Sequence, residues 1–371
     1  MKVLLLSSGT GEGHNSAAKA VMDALVEKGV ECVFLDPISF QSENAKKKVS
    51  SIYNKIISKV PFVFGIIYFA GVLYDKTPLP SPVLKANSKY AGKLAEYIKN
   101  ENFDAVVCPH LFAMQAMAVV RVDKGFYVPT YSIMTDHTTH PFHKDAKPLD
   151  VHFASNEKTA KYIVKRGFDE QKVIITGIPA NPKFALSVSK NEAKNIVGIS
   201  ESKKVISVMT GGAGCGKILK LCKKFNKCLS EDFCVCIFPG KNEKLRQRLL
   251  SEYSDNPKFK ILPFTNDVHL YLKASEVALS KPGGLSSTEI AAANVPLVHL
   301  KAIPGCESYN VRYFKSRGLS LYGKSIRRAV KYTVKLLENK ELAARMLEAQ
   351  RRFVPANAAD LIANKIIEDM K

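Results

Sequence analysis

Short apolar runs at residues 3–6, 32–35, 105–108, 131–134, 151–154 and 173–175 punctuate the first half of this sequence, with longer stretches of helical spacing between them. Nearly continuous apolar runs of that length suit strands covered on both faces, the strands of parallel sheets with helical crossovers. The pattern stops at Thr176-Gly177-Ile178-Pro179-Ala180-Asn181-Pro182. Two prolines, a glycine and an asparagine there continue neither a strand nor a helix. It resumes at residues 205–209, 234–238, 260–262, 277–279 and 297–300. The expected fold class is α/β, two doubly wound Rossmann-like domains facing across a cleft. The expected boundaries are 1–178 for an N-terminal domain, 179–345 for a C-terminal domain, and 346–371 for a helical segment packing back on the N-terminal domain.

Charge narrows the partners. The chain has 55 Lys and Arg against 34 Asp and Glu, a net charge of +21, which implies an anionic partner: nucleic acid, anionic lipid or a phosphorylated small molecule. Against nucleic acid, the lysines are scattered, no recognised nucleic-acid motif is present and tryptophan is absent. The eight cysteines include no pairs at Cys-x-x-Cys spacing, so reduced core or loop thiols are expected rather than a zinc site. Met1-Lys2 leads directly into a strand too short for the apolar core of a signal peptide. The apolar run 60–73 falls short of the ~20 residues of a spanning helix, and Pro61 and Gly65 interrupt it. A cytoplasmic protein without a membrane-crossing segment is expected.

Three glycine-bearing turns follow strands. Ser7-Ser8-Gly9-Thr10-Gly11-Glu12-Gly13-His14 precedes a helix-forming stretch. It can bring backbone N–H groups and the positive helix end close to a ligand, but its spacing is not the dinucleotide fingerprint Gly-x-Gly-x-x-Gly. The second turn, Gly211-Gly212-Ala213-Gly214-Cys215-Gly216-Lys217-Ile218, nearly matches a P-loop. Isoleucine stands where Ser or Thr would ligate magnesium, which argues against NTP chemistry and for a phosphate cradle without a metal. The third, Lys281-Pro282-Gly283-Gly284-Leu285-Ser286-Ser287-Thr288-Glu289, has two readings. Glu289 can accept hydrogen bonds from vicinal ribose hydroxyls behind a Gly-Gly approach, or Ser286 and Glu289 can form a capping box.

Taken together, the motifs resemble the family of monogalactosyldiacylglycerol synthases and processive diacylglycerol glucosyltransferases, of glycosyltransferase family 28 and the GT-B fold. The resemblance spans essentially the whole chain. It rests on Gly11-Glu12-Gly13-His14-Asn15-Ser16-Ala17, residues 61–68, Thr135-Asp136 and His140-Pro141-Phe142. It continues through Thr176-Gly177-Ile178-Pro179, Gly211-Gly212, Gly240-Lys241-Asn242-Glu243-Lys244-Leu245, Pro263-Phe264-Thr265, residues 281–289, and Pro304-Gly305-Cys306-Glu307 with Asn310. It implies inverting transfer of a hexose, glucose or galactose, from a UDP-sugar to diacylglycerol or a related glycolipid, without cofactor or catalytic metal.

By the same resemblance, Phe264 and its neighbours, Thr265 among them, hold the uracil, Glu289 the ribose, and Glu307 with Asn310 the sugar hydroxyls. Gly211, Gly212, Gly283 and Gly284 border the diphosphate, and Gly240, Lys241, Ser286 and Cys306 complete the donor set. Cys306 stands where the diacylglycerol enzymes usually carry Gln, and His143 near where the family often has an aromatic residue. Related expectations on the same scaffold are a transferase with a polyprenyl-linked or soluble acceptor and a UDP-sugar epimerase. A basic nucleic-acid-binding protein is the expectation of a different class.

Inverting transfer is one displacement at the anomeric carbon, so the site needs a base for the acceptor hydroxyl and stabilisation for departing UDP. His14 lies at a helix N-terminus, where the dipole keeps the ring neutral. Asp136 lies at the end of a strand, where α/β sheets place ligands. These are the catalytic pair, with the base unassigned between them. His137, His140 and His143 recur every third residue, but Pro141 breaks any regular helix and no Cys or Glu completes a ligand set; a polar loop is expected.

The last feature is a stripe. In residues 46–60 the apolar positions 49, 52, 53, 56, 57 and 60 fall on one helical face, with lysines mostly off it, and the apolar segment 62–73 follows. A core helix has the same spacing. With the net charge and a lipid acceptor, the expectation is an interfacial contact with anionic membrane. Gly13, Ile52, Tyr53, Ile56, Ile57, Phe62 and Tyr68 are its candidate acceptor and membrane residues, on the inner face of the cell membrane.

Overall fold

In the computed structural model the apolar runs form two separate six-stranded sheets, every described pairing parallel. The structure describes all residues except Thr10, Gly11, Lys46, Ser50, residues 53–59 and residues 212–216, together with the side chain of Pro61. The chain divides into two units: Met1–Asn181 with Pro304–Cys306 and Asn357–Lys371, and Pro182–Ile303 with Glu307–Ala356.

The first sheet contains β1 (Lys2–Leu6), β2 (Glu31–Leu35), β3 (Ala105–Cys108), β4 (Thr130–Ile133), β5 (Val151–Ala154) and β6 (Val173–Ile175), in the order β2-β1-β3-β4-β5-β6. Alternate residues of β1 serve opposite faces. Leu4 and Leu6 join one core layer, with α3 (Pro82–Asn100) and α4 (Leu111–Asp123), while Val3 and Leu5 join another with α1 (Glu12–Glu27). Both layers are buried, as the continuous apolar runs require. Gly29 closes α1 at φ +80°, where Val30 N–H reaches back to the Leu25 carbonyl at 3.1 Å. This left-handed terminus is cheap only for glycine.

The layer over α1 is completed by the far end of the chain. Helix α14 (Ala358–Asp369) puts Ala359, Ile362, Ala363 and Ile366 into the same cluster as Ala20, Val21 and Ala24, and the Tyr131 hydroxyl donates to Asp369 at 3.1 Å. Small residues on both helices let the backbones approach closely. Two further helices of this unit are α2 (Pro61–Tyr74) and α5 (Glu157–Lys165).

The second sheet contains β7 (Lys204–Met209), β8 (Phe233–Phe238), β9 (Phe259–Ile261), β10 (Ser275–Ser280), β11 (Leu297–His299) and β12 (Leu321–Tyr322), in the order β12-β11-β10-β7-β8-β9. One face carries α6 (Lys190–Ile196), α9 (Val268–Lys273), α10 (Gly284–Ala292) and α11 (Cys306–Ser316). The other carries α7 (Ile218–Cys228), α8 (Glu243–Tyr253) and α12 (Ile326–Glu338). Helix α13 (Lys340–Phe353) belongs to this unit, so the return to the first begins at Asn357.

Each strand order reverses direction once, between β1 and β3 and between β10 and β7. Connections leave a parallel sheet to opposite sides at such a point, opening a crevice at the carboxyl ends of the two strands. Candidate site residues from the sequence lie around these two places.

Candidate active site

At the first crevice β1 runs through Ser7, Ser8 and Gly9 into α1. Gly9 N–H donates to Asp36 Oδ2 at 3.1 Å, and the Ser7 hydroxyl donates to Asn15 Oδ1 at 2.8 Å. These bonds fix the start of α1 and with it His14, in the first turn. His14 Nδ1 lies 2.9 Å from the Pro109 carbonyl and 2.8 Å from Thr135 Oγ1. A carbonyl only accepts, so Nδ1 bears the proton, and Nε2 is left with the lone pair. Burial lowers the ring's basicity, opposed by the negative charge of Asp136 and by the Pro109 bond. The helix N-terminus disfavours the imidazolium further. Asp136 follows β4, and its carbonyl accepts from the Ser155 hydroxyl at 2.7 Å.

Two neighbours of His14 were given no role from the sequence, although Thr135 belongs to the Thr135-Asp136 block. His110 follows β3 and caps α4, with Nδ1 accepting Phe112 N–H at 3.1 Å. Its ring meets His14 edge to face at 4.6 Å, and burial drives its basicity well down, with the charges of His14 and His140 acting the same way. Thr135, two residues past the end of β4, orients His14. The one available signal was position: both stand within two residues of the end of an apolar run.

The histidines of the 137–143 loop diverge. His137 Nδ1 is 3.2 Å from Asn156 Nδ2, and the His140 ring meets Tyr68 at 6.1 Å. His143 is buried against Phe168 at 5.4 Å and pushed down to about 3 by that burial, with His152 and Arg166 adding to it. Among the described residues no three His, Cys, Asp or Glu side chains assemble as a ligand set.

Helix α2 has two unlike faces. Phe62 is 73% exposed and Leu73 65%, with Val63, Ile66 and Ile67 between them also in solvent. Tyr68 is 5% exposed, its hydroxyl donating to the Thr139 carbonyl at 3.4 Å, so it lies on the inner face and not with Phe62. The Cys306 thiol sits 3.7 Å from that hydroxyl. Ile52 is exposed. Gly13 is half-buried in the first turn of α1. Tyr53, Ile56, Ile57 and Gly212 lie outside the described residues.

At the second crevice Gly211 follows β7 with φ +74°, and a Cβ there would run into Lys281 Cε. Lys281 opens the turn after β10, with its Nζ 3.4 Å from Glu307 Oε1. Glu307, in the first turn of α11, accepts Ile303 N–H through Oε2 at 2.8 Å. Buried Asn310 donates to the Pro282 carbonyl at 3.0 Å, holding the turn against α11. The glycines thus leave room beside a lysine whose own role the sequence did not disclose.

Helix α10 starts at Gly284 behind Gly283, without a side-chain cap. The Ser286–Glu289 capping box is therefore not formed, and Ser286 lies inside the helix. A helix N-terminus without a side-chain cap beside a lysine is a place for an anion. Glu289 is half-buried, and its carboxyl receives no hydrogen bond from a described residue and is pushed up to about 8 by burial. Around the crevice, Gly240 follows β8 at φ +66°, Phe264 follows β9 with 59% of its surface exposed, and Lys241 Nζ lies 5.5 Å over the Phe264 ring. Thr265 Oγ1 accepts Asp267 N–H at 3.0 Å, fixing that loop.

Known proteins bear on both units. Residues 14–180 match the family model of monogalactosyldiacylglycerol (MGDG) synthase, and residues 189–353 that of group 1 glycosyl transferases. The chain is 26% identical to a processive diacylglycerol beta-glucosyltransferase of Bacillus thuringiensis (strain Al Hakam), the match covering 99% of this chain and 94% of the relative. The same identity and coverage hold for the protein of that name from Bacillus cereus (strain AH187). Among solved structures, an S. aureus MnaA–UDP co-structure has a TM-score of 0.66 at 16% identity, covering 100% of this chain and 97% of that one. Acinetobacter baumannii MurG has a TM-score of 0.66 at 15% identity, covering 99% of each chain. These likenesses are of fold, and the fold is GT-B.

Proposed function

We propose that this chain, which is similar to monogalactosyldiacylglycerol synthases over residues 14–180 and to processive diacylglycerol beta-glucosyltransferases over its length, is a hexosyltransferase of glycolipid biosynthesis. It moves glucose or galactose from a UDP-sugar to diacylglycerol or a related glycolipid, with inversion and without a metal, at the inner face of the cell membrane. The observation that carries the reading is the tautomer of His14, which leaves Nε2 as a proton acceptor at the crevice of the first sheet beside Asp136.

His14 Nε2 takes the proton of the acceptor hydroxyl as that oxygen attacks the anomeric carbon. The bond to UDP breaks on the opposite side and UDP leaves with the electron pair. Asp136 stabilises the imidazolium that forms, as the carboxylate of a catalytic triad does. In the second unit, Lys281 and the N-terminus of α10 offset the charge growing on the diphosphate. Phe264 offers the uracil a ring face, Glu289 accepts from the ribose hydroxyls, and Glu307 meets the sugar. The exposed apolar face of α2 supports residence at a bilayer surface, where its burial among acyl chains is favourable. Among the described residues no helix is long and apolar enough to cross a membrane.

The test is product analysis with radiolabelled UDP-glucose and UDP-galactose and vesicles containing diacylglycerol. The expected product is a glycolipid whose anomeric configuration is opposite to the donor's, formed equally well in EDTA. UDP release that ignores diacylglycerol, an epimerised nucleotide sugar, or strict dependence on magnesium or manganese would reject the proposal.

A further inference from the structure

The second unit carries a charged surface that the proposed transfer does not use. Helix α7 turns Ile218, Leu221, Cys222 and Phe225 into the core, and α12 turns Ala329 and Leu336 into the same apolar layer. At ~100° per residue, the opposite side of α7 holds Lys220, Lys223, Lys224 and Lys227, all exposed. The opposite side of α12 holds Arg327, Arg328, Lys331 and Lys335, also exposed. The two helices pack against each other, so the cations form one outward face.

Little on this face neutralises them. Helix α7 contains no acidic residue, and α12 only Glu338, at its last position. None of the eight cations makes an ion pair with a described residue. Such crowding is repulsive in isolation and becomes favourable against an extended anionic surface. The kind of surface follows from what the face lacks. Phe225 is buried and Tyr332 half-buried, so no fully exposed aromatic ring is offered to a base. Flexible, mostly lysine side chains on two helix backs suit a field of headgroups, where each cation contributes by proximity and not by fit.

We propose that the outer face of α7 and α12 is a contact with anionic lipid headgroups, additional to the apolar face of α2. This rests on the reading of the chain as an enzyme with a lipid acceptor. Each cation brought to an anionic surface strengthens partitioning by about fivefold at low salt.

The full chain and two quadruple variants, K220Q/K223Q/K224Q/K227Q and R327Q/R328Q/K331Q/K335Q, are sedimented with phosphatidylcholine vesicles with or without phosphatidylglycerol. Glutamine preserves helix propensity, and thermal midpoints verify folding. Each variant should need at least ~10-fold more phosphatidylglycerol-containing lipid for half-binding at low salt, with the difference shrinking as salt rises. UDP affinity and transfer to detergent-dispersed diacylglycerol should stay as in the parent chain. Parent-like vesicle binding by both folded variants overturns the proposal, as does an equal loss on pure phosphatidylcholine. So does a shift of random duplex DNA at physiological salt that the variants lose while vesicle binding persists. A parent chain without transfer activity refutes the proposed function instead, and the vesicle comparison still decides this inference.

Discussion

In the proposed donor site, Glu289 carries a proton that nucleotide binding should expel. Its carboxyl, raised to about 8 by burial, has no donor from the described residues. At pH 7 roughly nine-tenths of it is therefore protonated, and ionising it costs about 1.4 kcal/mol, whereas at pH 9 the cost nearly vanishes. Ribose hydroxyls donating to the carboxylate stabilise the ionised form, so binding should release about 0.9 proton at pH 7, about 0.5 at pH 8 and about 0.1 at pH 9. UDP affinity should accordingly rise about tenfold between pH 7 and pH 9. Glu289→Gln removes the titration. Its affinity should be flat across the range, and its deficit relative to the parent chain should widen by about 1.3 kcal/mol from pH 7 to pH 9. Calorimetry in buffers of different ionisation enthalpy reads both the affinity and the proton count. A parent chain whose UDP affinity is flat from pH 7 to 9, with no proton released at pH 7, would refute the assignment of the ribose to Glu289.

The same raised value has a stability consequence with a definite sign. A carboxyl whose folded value exceeds the unfolded one contributes stability that is present at low pH and lost as pH rises through about 8; urea midpoints of the parent chain should fall over that window more than those of Glu289→Gln. His14→Ala and Asp136→Asn should each lower transfer by at least ~100-fold while leaving UDP affinity intact, and a parallel loss of UDP binding would remove both from the acceptor side. Ile362→Ala and Ile366→Ala, in the helix that completes the first unit, should each cost about 2–5 kcal/mol in urea unfolding, and a cost under ~0.5 kcal/mol would mean α14 is not part of that core. Ile66→Ser with Ile67→Ser should weaken vesicle binding without lowering the thermal midpoint; a folded double variant that binds normally would place the apolar contact elsewhere.

The core strands were readable because a strand buried on both faces has to be apolar at every position, as Val3 to Leu6 are. Partnerships across the sheet were not. His110 and Thr135 meet His14 only because β3 lies beside β1 and β4 beside β3, and nothing local in the chain encodes that order. The turn at 281–289 was open between a ribose carboxylate and a capping box, since Ser286 and Glu289 have the right spacing for either. The helix excludes the capping box by starting at Gly284, three residues before the start that a Ser286 cap would set. The apolar positions of 62–73 carried another ambiguity, since one periodicity serves membrane and core. Phe62 and Tyr68 were grouped together on the sequence, yet Tyr68 turns inward beside Gly305, where a Cβ would stand 3.2 Å from its ring.

Helix α14 also sets the order in which a growing polypeptide can finish itself. A ribosome delivers the strands of the first sheet by Ile175 but withholds Ile362 and Ile366 until the second unit has been made. At ordinary synthesis speeds that interval is roughly 10–35 s. Throughout it the backs of Ala20, Val21 and Ala24 wait uncovered, a hydrophobic strip that chaperones or neighbouring nascent chains can seize. Truncated products that stop anywhere after residue 181 and before Asn357 therefore share one defect, an unsealed amino-terminal unit, however complete the remainder is.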